Sequence, residues 1–153
     1  MSNLEKMREW LRTFPGTDNR PGMPEEFTID HVSEDPFKAG LHSNGTTEIG
    51  RTEDIVGNIT MTNQYNFSLG VVMEKDPNLD DVATDNAEWV MNFQQWVTEQ
   101  SITNQAPTFG NINTGDEIIR AQNGSFAQRV SDGAGMYMTT ITARFTNYYP
   151  IGG

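Results

Sequence analysis

Residues 85–101 read DNAEWVMNFQQWVTEQS, and the spacing of the large side chains in this segment decides which fold is predicted. The apolar residues recur at intervals of three and four, which places them on one face of a helix. They are Trp89, Val90, Phe93, Trp96 and Val97. Asp85 is predicted to cap this helix, and Glu88 three residues later completes a capping-box pattern. Because the burial of large aromatic side chains is strongly favourable, we expect the helix to pack on a sheet.

Two long alternating segments predict that sheet. Residues 59–73, ITMTNQYNFSLGVVM, alternate between apolar and mostly polar side chains, which indicates a strand that is buried on one side. Residues 136–149 form a second such strand and are rich in β-branched and aromatic side chains. Its inward-facing residues are predicted to be Tyr137, Thr139, Ile141, Ala143, Phe145 and Asn147.

The remaining elements are shorter. Asn3 is predicted to cap a first amphipathic helix that ends before Pro15-Gly16, and residues 26–32 are predicted to form a short strand. Asn123-Gly124 is a strong hairpin-turn signal and is predicted to join two short strands at residues 117–121 and 126–130.

Together these elements predict an α+β fold with two layers. Two main helices pack on one face of a largely antiparallel or mixed sheet of four or five strands, and residues 1–153 form a single domain. Residues 33–58 are polar and are predicted to be a long loop, the kind of connection that is often functional. Within it, TTEIGRTEDIVGN at residues 46–58 is predicted to form a protruding hairpin arm.

The charge distribution restricts the classes of partner. The formal net charge is −11, and residues 21–100 carry 15 acidic and three basic side chains. Tight nucleic-acid binding needs Lys and Arg to neutralise phosphates, so a general DNA- or RNA-binding function is not expected. No apolar run approaches the ~20 residues that span a bilayer, and an anionic membrane surface is disfavoured by the same charge.

Conventional catalytic patterns are not found. The chain contains no cysteine, so thiolate chemistry and thiolate metal sites are excluded. His31 and His42 are the two histidines, and neither belongs to a recognisable catalytic motif. A lone histidine on a strand, as predicted for His31, is usually a hydrogen-bonded structural residue. We therefore predict neither an enzyme nor a bound cofactor.

One segment partly resembles a calcium loop. Asp76, Asn78 and Asp80 occupy its first, third and fifth positions. The sixth position is Asp81 where glycine is required, and the twelfth is Ala87 where a bidentate glutamate belongs. These three residues are weak metal candidates, and a solvated turn before the helix is the favoured interpretation.

The order of these segments resembles the small minor capsid or tail-terminator-like proteins from the head–tail joining region of tailed phages and prophages. The resemblance covers nearly the whole chain and depends on patterns, not on invariant motifs. The segments that carry it are LEKMREWLRTFP, FTIDHV, RTEDIVGN with YNFSLGVVME, EWVMNFQQWVTEQ and MYMTTITARFTNYY.

The resemblance implies a structural role in the virion, after assembly in the cytoplasm of a host bacterium. Proteins of this type form a ring, commonly a hexamer, that caps the head-proximal end of the tail tube and docks to the head connector or stopper protein. DNA passes through such a ring, and acidic walls would let the duplex slide without sticking. The family implies no catalytic residues, no cofactor and no membrane association.

The arm is the expected subunit contact, through Glu48, Arg51, Glu53, Asp54 and Ile55. Arg51 is the only cation in residues 39–74, so it is predicted to pair with a carboxylate of a neighbouring subunit. An exposed arginine without any partner is the competing interpretation. Three other functions stay open: a tail-tube or other tail subunit of the same lineage, a small acidic adaptor that binds a basic partner, or a small enzyme that uses His31.

Overall fold

The computed structural model describes residues 1–18, 20–30, 36–74, 80–131 and 133–151. Two helices, α1 (Asn3–Leu11) and α2 (Asp80–Ile102), accompany five strands. The strands are β1 (Phe27–Ile29), β2 (Lys38–Glu53), β3 (Ile59–Glu74), β4 (Ile118–Ser131) and β5 (Ala134–Tyr149). They form one sheet in the order β1-β2-β3-β5-β4, in which β1 and β2 are parallel and the other three pairings are antiparallel. The predicted α+β fold with helix packed on a sheet is confirmed.

The core lies between the helices and one face of the sheet. Trp89, Phe93 and Val97 of α2 are buried in the same cluster as alternate residues of β3 and β5. Trp10 of α1 stacks on Trp96 of α2 with 5.1 Å between ring centroids, so the two helices also pack on each other. The predicted apolar face of α2 is therefore the face that closes the core, although Trp96 is only partly buried.

Both predicted helix caps are wrong. The α2 helix begins at Asp80, five residues before the predicted start, so Asp85 lies inside the helix and not at its N-cap. The five added residues, 80–84, include three polar ones and show no apolar period, which is why the pattern did not reveal them. In α1 the cap is Ser2, whose hydroxyl accepts a hydrogen bond from the Glu5 amide at 3.2 Å.

The predicted loop at residues 33–58 is also wrong over most of its length. Residues 38–53 form the strand β2, which pairs with β3 from Lys38 opposite Val72 to Glu53 opposite Ile59. From residue 44 onward β2 is exposed on both faces, so it lacks the alternation that identifies a strand in a sequence. The arm at residues 46–58 is the outer end of the β2–β3 hairpin. The predicted strand at residues 26–32 is seen as β1, and its residues 31 and 32 lie outside the described residues.

The predicted hairpin turn at Asn123-Gly124 is wrong as well, because β4 runs straight through it. Gln122 pairs with Thr140 and Ser125 pairs with Met138, so two residues of β4 oppose one residue of β5. This arrangement is a β-bulge, and Asn123 adopts the left-handed conformation there with φ of 59°. The bulge brings β4 against α2, where the Gly124 amide donates a hydrogen bond to Gln94 Oε1 at 3.2 Å.

Candidate functional site

The tip of the arm is a tight turn that Asp54 holds together. Its Oδ1 accepts hydrogen bonds from the backbone amides of Val56 and Asn58 at 3.0 Å, and its Oδ2 accepts one from Asn58 Nδ2 at 2.9 Å. The side-chain hydrogen bond from Asn58, with the backbone bonds of the turn, lowers the pKa of Asp54 below its ordinary value. Asp54 was predicted as a contact residue, but its described hydrogen bonds shape the turn of its own chain.

Two apolar side chains stand at the apex of this turn. Ile55 is fully exposed, and the side chain of Val56 is 70% exposed. Single exposed apolar residues are common on protein surfaces. Here, however, two adjacent exposed residues form a small apolar patch at the tip of a long hairpin. Ile55 was predicted as a contact residue, whereas Val56 was missed. The signal that could have found Val56 is an apolar pair between the acidic Glu53-Asp54 and the turn residue Gly57.

The other three predicted contact residues lie on the strand part of the arm. Arg51 Nη2 and Nε contact Glu48 Oε1 at 2.6 and 3.1 Å, and both side chains are about half exposed. Arg51 therefore has a partner within its own chain, and its pairing with a neighbouring subunit stays a prediction. Glu53 is exposed, and no described residue forms an ion pair with it.

The arm is tied to the rest of the chain along its length. β5 extends beside β3 as far as Tyr149 opposite Ile59, so the arm is backed by a third strand. Beyond that strand, the Ile151 amide donates a hydrogen bond to Asn58 Oδ1 at 3.0 Å. Asn111 in turn bonds the backbone of Tyr148 at both its amide and its carbonyl. The apolar tip is thus held at the end of a three-stranded support.

The face of the sheet that points away from the helices is polar. We call its middle part the open face and define it by twelve outward residues of three strands. On β3 they are Thr60, Thr62, Gln64, Asn66 and Ser68; on β5 they are Thr140, Thr142, Arg144 and Thr146; on β4 they are Ile118, Arg120 and Gln122. None of these positions holds an aspartate or a glutamate, although the chain as a whole carries 21 acidic residues.

Two arginines lie together on the open face. Arg144 pairs in register with Ile118, and Arg120 pairs with Thr142, so the three side chains border one shallow depression of about 160 Å³. Both arginines are exposed, and neither has an ion-pair partner in the part of the chain that the structure describes. Sequence reasoning missed this pair, because residues 24 positions apart become neighbours only through the register of β4 and β5.

A larger cavity of about 490 Å³ lies between the end of α2 and the beginning of β4. Glu117 lines this cavity, and its carboxylate accepts hydrogen bonds from the backbone amides of Phe109 and Gly110 at 2.7 and 3.1 Å. Glu117 thereby fixes the loop before β4. The cavity contains no histidine, so it offers no pairing of a nucleophile with a histidine base.

In the part of the chain that the structure describes, the residues considered for catalysis or metal binding do not form a common site. His42 Nδ1 lies 3.6 Å from Asp30 Oδ1, which is too long for a hydrogen bond, and both side chains are partly exposed. His31, Asp76 and Asn78 lie outside the described residues, and Asp80 is described only as the first residue of α2. Among the described residues, no three His, Asp or Glu side chains are grouped closely enough to hold a metal ion.

No helix in the described ranges is long and apolar enough to cross a membrane. No protein-family model matches the chain, and no curated protein is significantly similar to it.

Proposed function

We propose that this chain is a structural subunit of a tailed-phage particle, which assembles with copies of itself into a ring, expected to be hexameric. The ring terminates the tail tube and joins it to the head connector. The observation that carries the self-assembly is the tip of the arm, where Ile55 and Val56 are exposed at the end of a supported three-stranded extension. The phage context comes from the resemblance in segment order.

Covering the arm tip with an apolar surface would contribute favourably to the free energy of assembly. Transferring an exposed isoleucine side chain from water into an apolar contact contributes roughly 1.5–3 kcal/mol. The three-stranded support and the Asp54 hydrogen bonds hold the tip in one shape, so a partner that binds it gains this free energy with little loss of conformational entropy. A rigid apolar tip of this kind suits a permanent contact between subunits.

The test is the mass of the full-length chain in solution, measured by native mass spectrometry over a range of concentrations. We expect a ring-sized species for the unmodified chain. Replacing both Ile55 and Val56 by Asp should shift the distribution towards monomer, because each new charge would have to be buried in the contact. Met91→Asp is the matched control, since Met91 is a similarly exposed apolar residue (68%) on α2, away from the arm.

The outcomes separate the candidate functions. A chain that stays monomeric at all concentrations would overturn the ring and leave an acidic adaptor or a small enzyme. A ring that is unaffected by the double Asp variant would show that subunits meet through another surface. Circular dichroism of each variant checks that the subunit remains folded.

A further inference from the structure

We propose that the open face around Arg120, Arg144 and Ile118 is the surface that receives the arm tip of a second copy of this chain. This inference rests on the proposed self-assembly and deepens it by naming the receiving surface. It specifies a head-to-tail contact, in which one subunit contributes the tip and its neighbour contributes the sheet.

The charges of the open face and of the arm tip are complementary. In a chain of net charge −11, the open face combines two exposed arginines with no acidic side chain. Its arginines have no ion-pair partner among the described residues, so the face suits an acidic segment. The arm tip supplies one, because Glu53 is exposed, unpaired in the described part of the chain, and lies two residues from Ile55.

The arm tip and the open face also carry apolar side chains that can pack together. Ile118 lies at the edge of the depression that holds both arginines, and 39% of its side chain is exposed. Burial against Ile118 would remove the exposed Ile55 and Val56 side chains from water, and it would bury the exposed part of Ile118 as well. A tip that places Ile55 on Ile118 puts Glu53 within reach of Arg144 or Arg120, because the Cα atoms of residues two positions apart are separated by at most about 7 Å.

The geometry requires the contact to form between different copies. Along β5, Arg144 is opposite Ile118 and Tyr149 is opposite Ile59 at the base of the tip. The difference of five residues (149 − 144) corresponds to about 16 Å along the strand, and the tip extends farther still. A chain therefore cannot place its own tip on its own Ile118. Since the two contact surfaces are different, repetition of the contact closes a ring or propagates a filament.

Disulfide cross-linking can test this contact without competing disulfides, because the chain contains no cysteine of its own. Ile55→Cys and Ile118→Cys are introduced into separate full-length chains, which are mixed, assembled and oxidised. A disulfide requires the two Cα atoms to lie within about 7 Å, so it reports direct contact. We expect the mixture to give a covalent dimer and the single chain with both substitutions to give a ladder of covalent multimers. A chain with Ile55→Cys and Met91→Cys is the control, and it should give no ladder.

A charge exchange tests the ionic part. Arg144→Glu should raise the concentration needed for half-maximal assembly by about tenfold or more, and Glu53→Arg in the same chain should recover most of that loss. An acidic control, Arg129→Glu on the far part of β4, should leave assembly unchanged.

The results distinguish this inference from the function on which it rests. A monomer under all conditions overturns both. A ring that forms without a disulfide between positions 55 and 118 overturns this inference alone, as does a ring that tolerates Arg144→Glu. A disulfide formed by Ile55→Cys alone would show that tips meet tips, and it would also reject the proposed surface. Binding of a short DNA duplex that Arg144→Glu abolishes, with assembly unchanged, would assign the arginines to phosphates.

Discussion

The indole of Trp89 donates a hydrogen bond from Nε1 to the carbonyl of Pro21 at 2.7 Å. This bond joins the middle of α2 to the connection that follows α1. Phe14 packs edge-on against the same indole, with 5.2 Å between ring centroids. Trp89 therefore provides both apolar area and a satisfied polar group at the centre of the core, whereas Trp96 stacks on Trp10 at the partly exposed edge.

Trp89→Ala should lower the free energy of unfolding by about 3–5 kcal/mol, because the truncation leaves a cavity in a close-packed core. Trp96→Ala should cost less, since Trp96 is only partly buried. Chemical denaturation followed by circular dichroism measures both values. If either variant were fully stable yet failed to assemble, the helix would itself be an interface.

Gly124→Ala should be destabilising by about 1–3 kcal/mol, the usual cost of forcing extra volume into a packed interior. An added Cβ would lie 2.3 Å from Val90 Cγ1 and 2.5 Å from Gln94 Oε1, so α2 would have to move away from β4. Gly133→Ala is the control, because nothing lies within 4 Å of its added Cβ. Equal melting temperatures for the two variants would contradict the close approach of α2 to the bulge.

The turn at the arm tip should loosen in acid. The folded pKa of Asp54 is lowered from its ordinary value of 3.8, so its contribution is fully present above that value and is lost as the pH falls through the folded pKa. We expect the amide signals of Val56 and Asn58 in NMR spectra to shift together in that acidic range. Asp54→Ala should show the loosened turn already at neutral pH and no further transition. Amide signals that are unchanged below pH 3 would contradict this role.

Arg51→Glu should change the free energy of unfolding by no more than about 1 kcal/mol, because exposed ion pairs such as Arg51–Glu48 contribute little. The sequence-based prediction is that the same substitution weakens ring formation, which light scattering measures. Glu48→Gln removes the internal partner and serves as the comparison. If Arg51→Glu leaves the mass distribution unchanged, Arg51 pairs within its own chain only.

The salt dependence of assembly offers an independent check on the proposed contact. Ion pairs between exposed charges weaken as salt shortens the Debye length from about 10 Å at 0.1 M to about 3 Å at 1 M. We therefore expect assembly of the unmodified chain to weaken with added NaCl, and assembly of the Arg144→Glu variant to respond less. Sedimentation velocity at several salt concentrations measures this difference. Identical responses of the two chains would argue against an ionic contribution at Arg144.

A helix or strand that is buried on one side has apolar residues at regular spacing in the sequence. The buried faces that show this spacing were predicted correctly. The apolar face of α2 follows from the spacing of Trp89, Phe93 and Val97, and the inward residues of β5 from strict alternation. Strand β2 left no such period, because its outer part is exposed on both faces and is held by backbone hydrogen bonds to β3. Asn123-Gly124 carries the signal of a turn, and only packing against α2 made it a bulge.

The candidate site divides in the same way. Local sequence was enough to predict a hairpin arm at residues 46–58, because turn residues are a local property, whereas the contact role of Ile55 stays a prediction. The hydrogen bonds of Asp54 and the Arg51–Glu48 pair join residues no more than four positions apart, but their geometry appears only once the hairpin is formed. The tertiary structure alone decided that Arg120, Arg144 and Ile118 border one depression whose lining holds no acidic residue. That relationship depends on the register of β4 against β5. The register is set by the pairing of residues far apart in the chain, which no local pattern encodes.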